Sequence, residues 1–436
     1  MKVITLIAGL VFWQFVLAST SLAQMAPLEF ESWIQWQEQR SIERMLKNIS
    51  PEDAAPGVVI ASPERVSPPY YFHWVRDSAV TIDLVVDLYQ ESDGDRRLDL
   101  ERRLLEFARF SHALQLKTAK GGLGEPKYYI DGTPYDGEWC RPQNDGPAMR
   151  AIAMAKFAQV LLDQNRGELV KQLFYDGAYP TLSLIKKDLE YTASKWAEKN
   201  CDLWEEVRGH HFYTRMVQRR ALIEGAKLAQ RLGDAGAAAW YLEQAELITQ
   251  SLPLFWRSER GYLVASLEPV GFPKPSGLDA GTILAFLHGD PGDGTVSALD
   301  QRAQATLTHL TEAFREIYPI NRRPEFTGVG IGRYPEDIYG GHHNNHGNPW
   351  VLLTAGFAQF NYQAAREAKA SGEEGVMEIY RKRGDIFLKR IQAHSNPDGS
   401  LSEQFDRHHG FMTSAKDLTW SHVEFIRAAR ARRGLR

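Results

Sequence analysis

The sequence predicts an all-α protein, a single toroid of six helical hairpins with long functional loops gathered at one end. Three observations predict it. About a dozen segments carry apolar residues at the three-four spacing of an amphipathic helix, whereas strand signals are sparse and short, as in "GYLVAS". Loops rich in aromatic, charged, Gly and Pro residues follow alternate helices, so closing the hairpins into a ring collects those loops on one rim. No strict period of the kind a solenoid needs runs through the chain, and no linker or low-complexity stretch divides it.

The elements follow in order. Lys2 precedes an apolar run, "VITLIAGLVFWQFVLA", and then the small residues Ser21 and Ala23. That run is shorter than the roughly 20 residues a membrane span requires, so residues 1–23 read as a secretory signal peptide and 24–436 as the domain itself. A secreted or periplasmic protein is expected, free of the membrane after cleavage. Helical segments then begin near residues 28, 74, 98, 146, 169, 210, 235, 278, 300, 348, 373 and 416. In "RRLLEFARFSHALQ", Leu104, Phe107, Ala108 and Leu114 share one face, and in "RALIEGAKLAQRL" so do Leu222, Ala226 and Ala229. The latter helix stops at Gly233 and Asp234 opens its partner, which carries Tyr241, Ala245, Ile248 and Leu252 up to Pro253. "SAKD", Ser414 to Asp417, has the form of a capping box opening the last helix.

Composition narrows the function. A hydrophobic fraction of 43% supplies a large core, and a formal net charge of -4 leaves no footprint for nucleic acid or an anionic membrane. A neutral substrate fits better. Cys140 and Cys201 are too few for a disulfide framework and wrongly spaced for zinc. "GVGIG" lacks the strand-to-helix context of a dinucleotide loop, and in "HHNNH", His342 to His346, Asn and the flanking Gly break any helix that would align imidazoles. No metal and no cofactor is therefore expected. Asn48-Ile49-Ser50 has the form of a glycosylation acceptor.

The densest chemistry lies in "DLWEEV", residues 202–207, where Asp202, Glu205 and Glu206 crowd around Trp204, Leu203 and Val207. Like charges and apolar cover both raise a carboxyl pKa, so the stretch reads either as a working acid or as an acidic helix start. Arg76-Asp77 beside Trp74 reads likewise as a polyol clamp or as an ordinary buried ion pair.

Taken together, "YYFHWVRDS", "GEPKYYIDGTPYDGEWCRPQNDGPAMRA", "DLWEEVRGHHFYTRMVQRRALIEG", "GRYPEDIYGG…GNPW" and "SEQFD…SAKDLTWS" resemble in order and spacing the conserved blocks of the glucoamylases, glycoside hydrolase family 15. The resemblance covers about residue 28 to the end. It implies an (α/α)6 barrel and an inverting, exo-acting enzyme that releases β-D-glucose from the non-reducing ends of α-1,4-glucans and maltooligosaccharides. It places the general acid at Glu205 and the general base at Glu403, roughly 6.5–9.5 Å apart with a water between them. It implies that Arg76, Asp77 and Arg333 hold the terminal sugar, that Asp202 and the backbone at Leu203 complete the pocket, and that Glu206 contacts the next sugar. Tyr70, Trp139, Tyr339 and Trp420 match its aromatic wall, where flat rings cover the apolar face of a sugar, and Trp74 beside the Arg76-Asp77 pair is a further substrate-binding candidate. The expected partner is an oligosaccharide or polysaccharide, bound by a monomer.

The chain also departs from the pattern. Cys140 stands where the family usually has glycine and Cys201 where an aromatic is common; a disulfide across the pocket rim and two small apolar fillers are both open. The loop after Tyr339 looks longer than in fungal members. With Arg436 so soon after the last helix, no starch-binding domain is expected, and soluble oligosaccharides are the expected substrates rather than granules. The rival readings are an α-1,6-glucan (dextran or isomaltose) or trehalose specificity in the same family, a phosphorolytic relative, against which Glu403 argues, and a non-catalytic carbohydrate binder.

Overall fold

The computed structural model describes residues 28–178, 183–342 and 345–435; the expected signal peptide at 1–23 lies outside them. Among the described residues, twelve helices of two turns or more follow one another. They are α1 (Phe30–Lys47), α2 (Val75–Gln90), α3 (Gly94–Gln115), α4 (Asp145–Asp163), α5 (Leu184–Lys195) and α6 (Phe212–Arg231). The second half holds α7 (Ala235–Ser251), α8 (Gly281–His288), α9 (Gln301–Ile317), α10 (Val351–Ala370), α11 (Glu374–His394) and α12 (Thr419–Arg433).

Packing sorts these helices into two rings. The even-numbered ones touch in the order α2, α4, α6, α8, α10, α12, and α12 returns to α2, which closes the barrel. The odd-numbered ones lie outside it. Inner helices are buried nearly all round, as α10 is from Val351 to Phe357, which a helix enclosed on every side requires. Small residues let them approach: a Cβ on Gly356 of α10 would stand 2.9 Å from Leu284 of α8. Outer helices keep one apolar stripe, as α9 does with Ala303, Leu307, Leu310 and Phe314. Closure is sealed by Arg427 of α12, which donates to Asp83 Oδ2 (2.8 Å) and to the Val80 carbonyl (3.0 Å) of α2.

The long loops precede the inner helices, so the N-termini of all six inner helices meet at the loop-bearing end. Short antiparallel ribbons stiffen these loops: β1 (His73–Trp74) with β2 (Lys127–Tyr128), and β3 (Asn200–Cys201), β4 (Val207–His211) and β7 (Ser266–Gly271) in one sheet. The others are β5 (Trp256–Arg257) with β6 (Tyr262–Leu263) and β8 (Gln404–Phe405) with β9 (Met412–Thr413).

Two expectations need correction. The helix expected near 169 is only a short helical stretch, Gly167–Leu169 running into Val170–Phe174, and the fifth long helix starts at Leu184. Its stripe is hidden in the sequence because Asp188 faces inward, where Arg150 of α4 grips it with two bonds of 2.7 Å. "SAKD" is no capping box: α12 starts at Thr419 behind Leu418, which caps with no side-chain bond, and Ser414 turns instead to Glu403. In "GVGIG" the glycines serve packing, since a Cβ on Gly330 would sit 2.7 Å from the Phe405 ring. Among the described residues no helix is long and apolar enough to cross a membrane.

Asn48, the possible glycan acceptor, is buried, and its amide ties the end of α1 to the start of α12 by donating to the Asp417 carbonyl (3.1 Å) and Thr419 Oγ1 (2.8 Å). Asn48→Ala is expected to cost about 2 kcal/mol through these lost bonds. Urea denaturation checks this, as a lower midpoint with an unchanged slope.

Candidate active site

Two hollows adjoin at the loop-bearing end. The inner one, about 470 Å³, is lined by Tyr70, Trp74, Arg76, Asp77, Leu203, Glu205, Arg333, Glu403 and Trp420 among others. The outer one, about 900 Å³, is lined by Trp139, Glu206 and Tyr339, and it shares Trp204, Glu205 and Arg333 with the inner one. Thus twelve of the thirteen residues singled out from sequence line one continuous depression. Asp202 does not. It lies behind the pocket at 3% exposure, accepting from the Glu206 and Val207 backbone N–H groups (2.8 and 2.9 Å) and from Lys274 Nζ (2.9 Å). Burial opposes its charge, but Lys274, His211 and those N–H groups prevail and hold its pKa down at about 2. Asp202 therefore shapes the acidic loop rather than meeting a sugar.

That loop, residues 202–206, is a tight turn between β3 and β4, which removes the helix-start reading. Glu205 sits at its apex with φ +68°, a left-handed conformation that costs a non-glycine residue roughly 1 kcal/mol or more and persists only when its surroundings enforce it. The crowding of carboxylates expected from "DLWEEV" is offset, because each acid faces donors, with Lys274 lying between Asp202 (2.9 Å) and Glu206 (3.8 Å). Asp202 takes Lys274. Glu206 takes Arg333 Nη2 (2.9 Å) and the Tyr334 hydroxyl (2.5 Å). Glu205 accepts through Oε1 alone, from Trp74 Nε1 (2.9 Å) and Gln143 Nε2 (3.1 Å), with Arg76 Nη2 at 3.6 Å. Trp204, read as cover for the acid, sends its indole N–H the other way, to Asp279 Oδ1 (2.8 Å).

Glu403 approaches from the opposite end of the sequence, on the loop before β8, and is 1% exposed. Ser414 and Gln404 both donate to its Oε2, the latter at 3.1 Å. Burial pushes its pKa up to about 7, against the pull of Ser414, Tyr70, Arg333 and Tyr339, all of which favour the charged form. The Tyr70 and Tyr339 hydroxyls also join one another at 2.7 Å, linking two walls of the pocket.

The floor is charged yet buried. Arg76 Nη1 donates to Gln143 (2.9 Å) and Asp145 (3.2 Å), while its Nη2 lies 3.4 Å from Asp77 Oδ2. Burial raises Asp77 to about 6 despite Arg76. Arg76 Nε and Asp77 Oδ2 remain buried without a hydrogen-bond partner, as does the Trp139 indole N–H higher up. Such orphans are costly unless a ligand satisfies them. Trp420, at 3% exposure, is both floor and core: Arg76 stands 5.7 Å over its ring, and its N–H donates to Glu424 Oε1 (2.9 Å). Arg333 is forked onto Asp337 (2.9 and 2.6 Å) within a ring of Trp204, Tyr334, Tyr339 and Trp350.

Sequence reasoning missed several supports, namely Gln143, Asp145, Lys274, Asp337, Trp350 and Ser414. Lys127 was missed as well; it is buried with its ammonium 3.9–4.4 Å from the rings of Trp139, Phe72, Tyr135 and Trp74. Desolvation lowers its pKa to about 8, against the attraction of Glu205. A lysine inside a quoted block, "GEPKYY", was the available signal. The cysteines do pair: Cys140 and Cys201 form a disulfide, with Cα atoms 5.8 Å apart, and Cys140 lines the outer hollow.

Two carboxyls beside an aromatic-walled hollow that is also lined by the buried arginines Arg76 and Arg333 define the class: a carbohydrate-cleaving hydrolase on an α/α barrel. The comparisons refine it. The model of the glycosyl hydrolases family 15 matches residues 39–430, and the chain belongs to that family. It is 36% identical to "Glucoamylase 1" of Rhizopus oryzae, over 92% of this chain and 71% of that protein. It is 33% identical to a "Probable glucoamylase" of Schizosaccharomyces pombe, over 99% and 98% of the two chains. Among solved structures, a glucoamylase from Saccharomycopsis fibuligera superposes with TM-score 0.86 at 29% identity, covering 94% of this chain and 96% of that one. The family 15 glucoamylase of Hypocrea jecorina gives 0.85 at 30% identity, covering 93% and 73%. The fold is the (α/α)6 barrel.

Glu403 sets a pH test. Its folded pKa of about 7 exceeds the ordinary 4.5, so its favourable contribution is complete below about 4.5 and is lost as pH rises through 7. Glu403→Gln removes that loss, which amounts to about 3 kcal/mol. The melting temperature of the variant is expected to gain on wild type steadily between those pH values.

Proposed function

We propose that this protein is an exo-acting glucan 1,4-α-glucosidase that removes single glucose units from non-reducing ends with inversion. The observation that carries the reading is the convergence of Glu205 and Glu403 on one hollow whose floor is Arg76 and Asp77. A closed floor admits a chain end but no chain beyond it.

The chemistry follows from which oxygens are free. Every donor to Glu205 converges on Oε1, which leaves Oε2 to carry the proton that passes to the glycosidic oxygen as the bond breaks. Ser414 and Gln404 both occupy Oε2 of Glu403, and its Oε1 is the oxygen proposed to take a proton from water attacking the other face of the sugar. Arg76 and Asp77, which line the inner hollow, are suited to the outer hydroxyls of the terminal glucose. Arg333 and Glu206 are placed for the next hydroxyls, and Trp139 and Tyr339 for the sugar beyond the cleaved bond.

Residues 24–436 act as one catalytic domain, a monomer exported through the signal at 1–23. The Cys140–Cys201 disulfide supports export, since such bonds persist in oxidising compartments. An α-1,6 or trehalose preference is decided by a panel of maltose, isomaltose, dextran and trehalose assayed for released glucose. Maltose is expected to lead; trehalose or dextran leading overturns the assignment. Glu205→Gln is expected to lower kcat by about 10²–10⁴-fold with maltose binding retained, as loss of a general acid requires. Isothermal titration beside the glucose assay checks both.

A further inference from the structure

The Cys140–Cys201 bond joins two segments that meet the reacting centre from different sides. Cys201 ends β3, one residue before the turn that holds Glu205. Cys140 lies between Trp139, a wall of the outer hollow, and the stretch leading to Gln143. Further bonds follow the same seam: the Cys201 N–H donates to the Pro142 carbonyl (2.8 Å), and Arg208 Nη1 to the Arg141 carbonyl (2.8 Å). Gln143 Nε2 is shared between the Cys140 carbonyl (3.2 Å) and Glu205 Oε1 (3.1 Å). The covalent bond is thus continuous, through one carbonyl and one amide, with the carboxyl that is read as the proton donor. Glu205 itself keeps a left-handed backbone that needs such support.

We propose that the Cys140–Cys201 disulfide is a positioning clamp for catalysis, which fixes the Asp202–Glu206 turn against the segment bearing Trp139 and Gln143 and so sets the direction of the Glu205 carboxyl. This rests on Glu205 being the acid. The 61-residue separation means that the bond joins parts which the chain alone would hold loosely. Without it, Gln143 can follow the Cys140 carbonyl away from Glu205, and the outer hollow widens at Trp139. Neither cysteine touches the reacting atoms, so the effect falls on geometry rather than on chemistry.

Two arms test this at 25 °C, each with a parallel melting curve. In one, wild type is treated with a dithiol reductant, which supplies two electrons and two protons, converts the disulfide into two thiols and closes into its own cyclic disulfide. Alkylation then counts the thiols. In the other, the double variant Cys140→Ser/Cys201→Ser is purified. Both are expected to lower kcat on maltose about tenfold, while KM moves less than about threefold, because misdirecting a catalytic group by a fraction of an ångström affects turnover more than binding. Reoxidation of the reduced wild type restores kcat. If the bond were only a stabilising cross-link, its removal would lower the melting temperature and leave kcat and KM unchanged at 25 °C. That result, with two thiols alkylated, overturns the proposal, and so does unfolding in both arms. A wild type that turns over no glucan refutes the underlying functional reading instead.

Discussion

The site exists because the ring closes. Residues that share the inner hollow come from the loops before α2, α6, α10 and α12 and from the first turns of α2, α10 and α12, and Asp77 and Glu403 are more than 300 positions apart. Only the return of α12 onto α2 brings them together, and that seam is held by Arg427 reaching Asp83 and the Val80 carbonyl. Closure also aligns the six inner helices with their N-termini on the loop side. Each contributes partial positive charge there, which suits an end of the barrel that concentrates buried carboxylates. Scaffold and electrostatics thus have one cause.

A neutral ligand raises a particular problem, since the groups that bind it must be buried and polar before it arrives. The structure meets this by leaving some of these polar groups incompletely paired. Arg76 is held by Gln143 and Asp145 yet keeps its Nε unbonded, Asp77 keeps one oxygen unbonded, and the Trp139 indole waits without an acceptor. The remaining charges are anchored behind the pocket, Asp202 and Asp279 on Lys274 and Arg333 on Asp337. A fully paired pocket would be more stable when empty and worse at exchanging water for hydroxyl groups. In both carboxyls the resolved donors gather on one oxygen, Oε1 of Glu205 and Oε2 of Glu403.

What was legible in the sequence divides along physical lines. The barrel could be read because outer helices must show an apolar stripe and functional loops must be long and aromatic. The helix at Leu184–Lys195 could not, because its buried Asp188 and Lys186 break the stripe, and their nearest partners, Arg150 and Asp234, lie far away in sequence. Site residues that would touch a sugar stood out as motifs. Their supports did not: Lys274 and Asp337 are ordinary charged residues until folding sets them behind Asp202 and Arg333. "DLWEEV" taught the sharper lesson, since adjacency in sequence implied repulsion while a left-handed turn at Glu205 gives each of its three acids cationic or polar donors, with Lys274 lying between Asp202 and Glu206. Ser414, likewise, matched a helix cap by spacing, but a buried carboxylate was the stronger acceptor.

The central claim is that a proton on Glu205 and a charge on Glu403 act on opposite faces of one sugar. The most direct test follows maltotriose hydrolysis by proton NMR from the first seconds and reads the anomeric signals of the glucose released. The account predicts β-glucose first, with the α form appearing only at the rate of mutarotation. α-Glucose as the initial product would contradict it, because Glu403 would then have to bond to the sugar rather than to water.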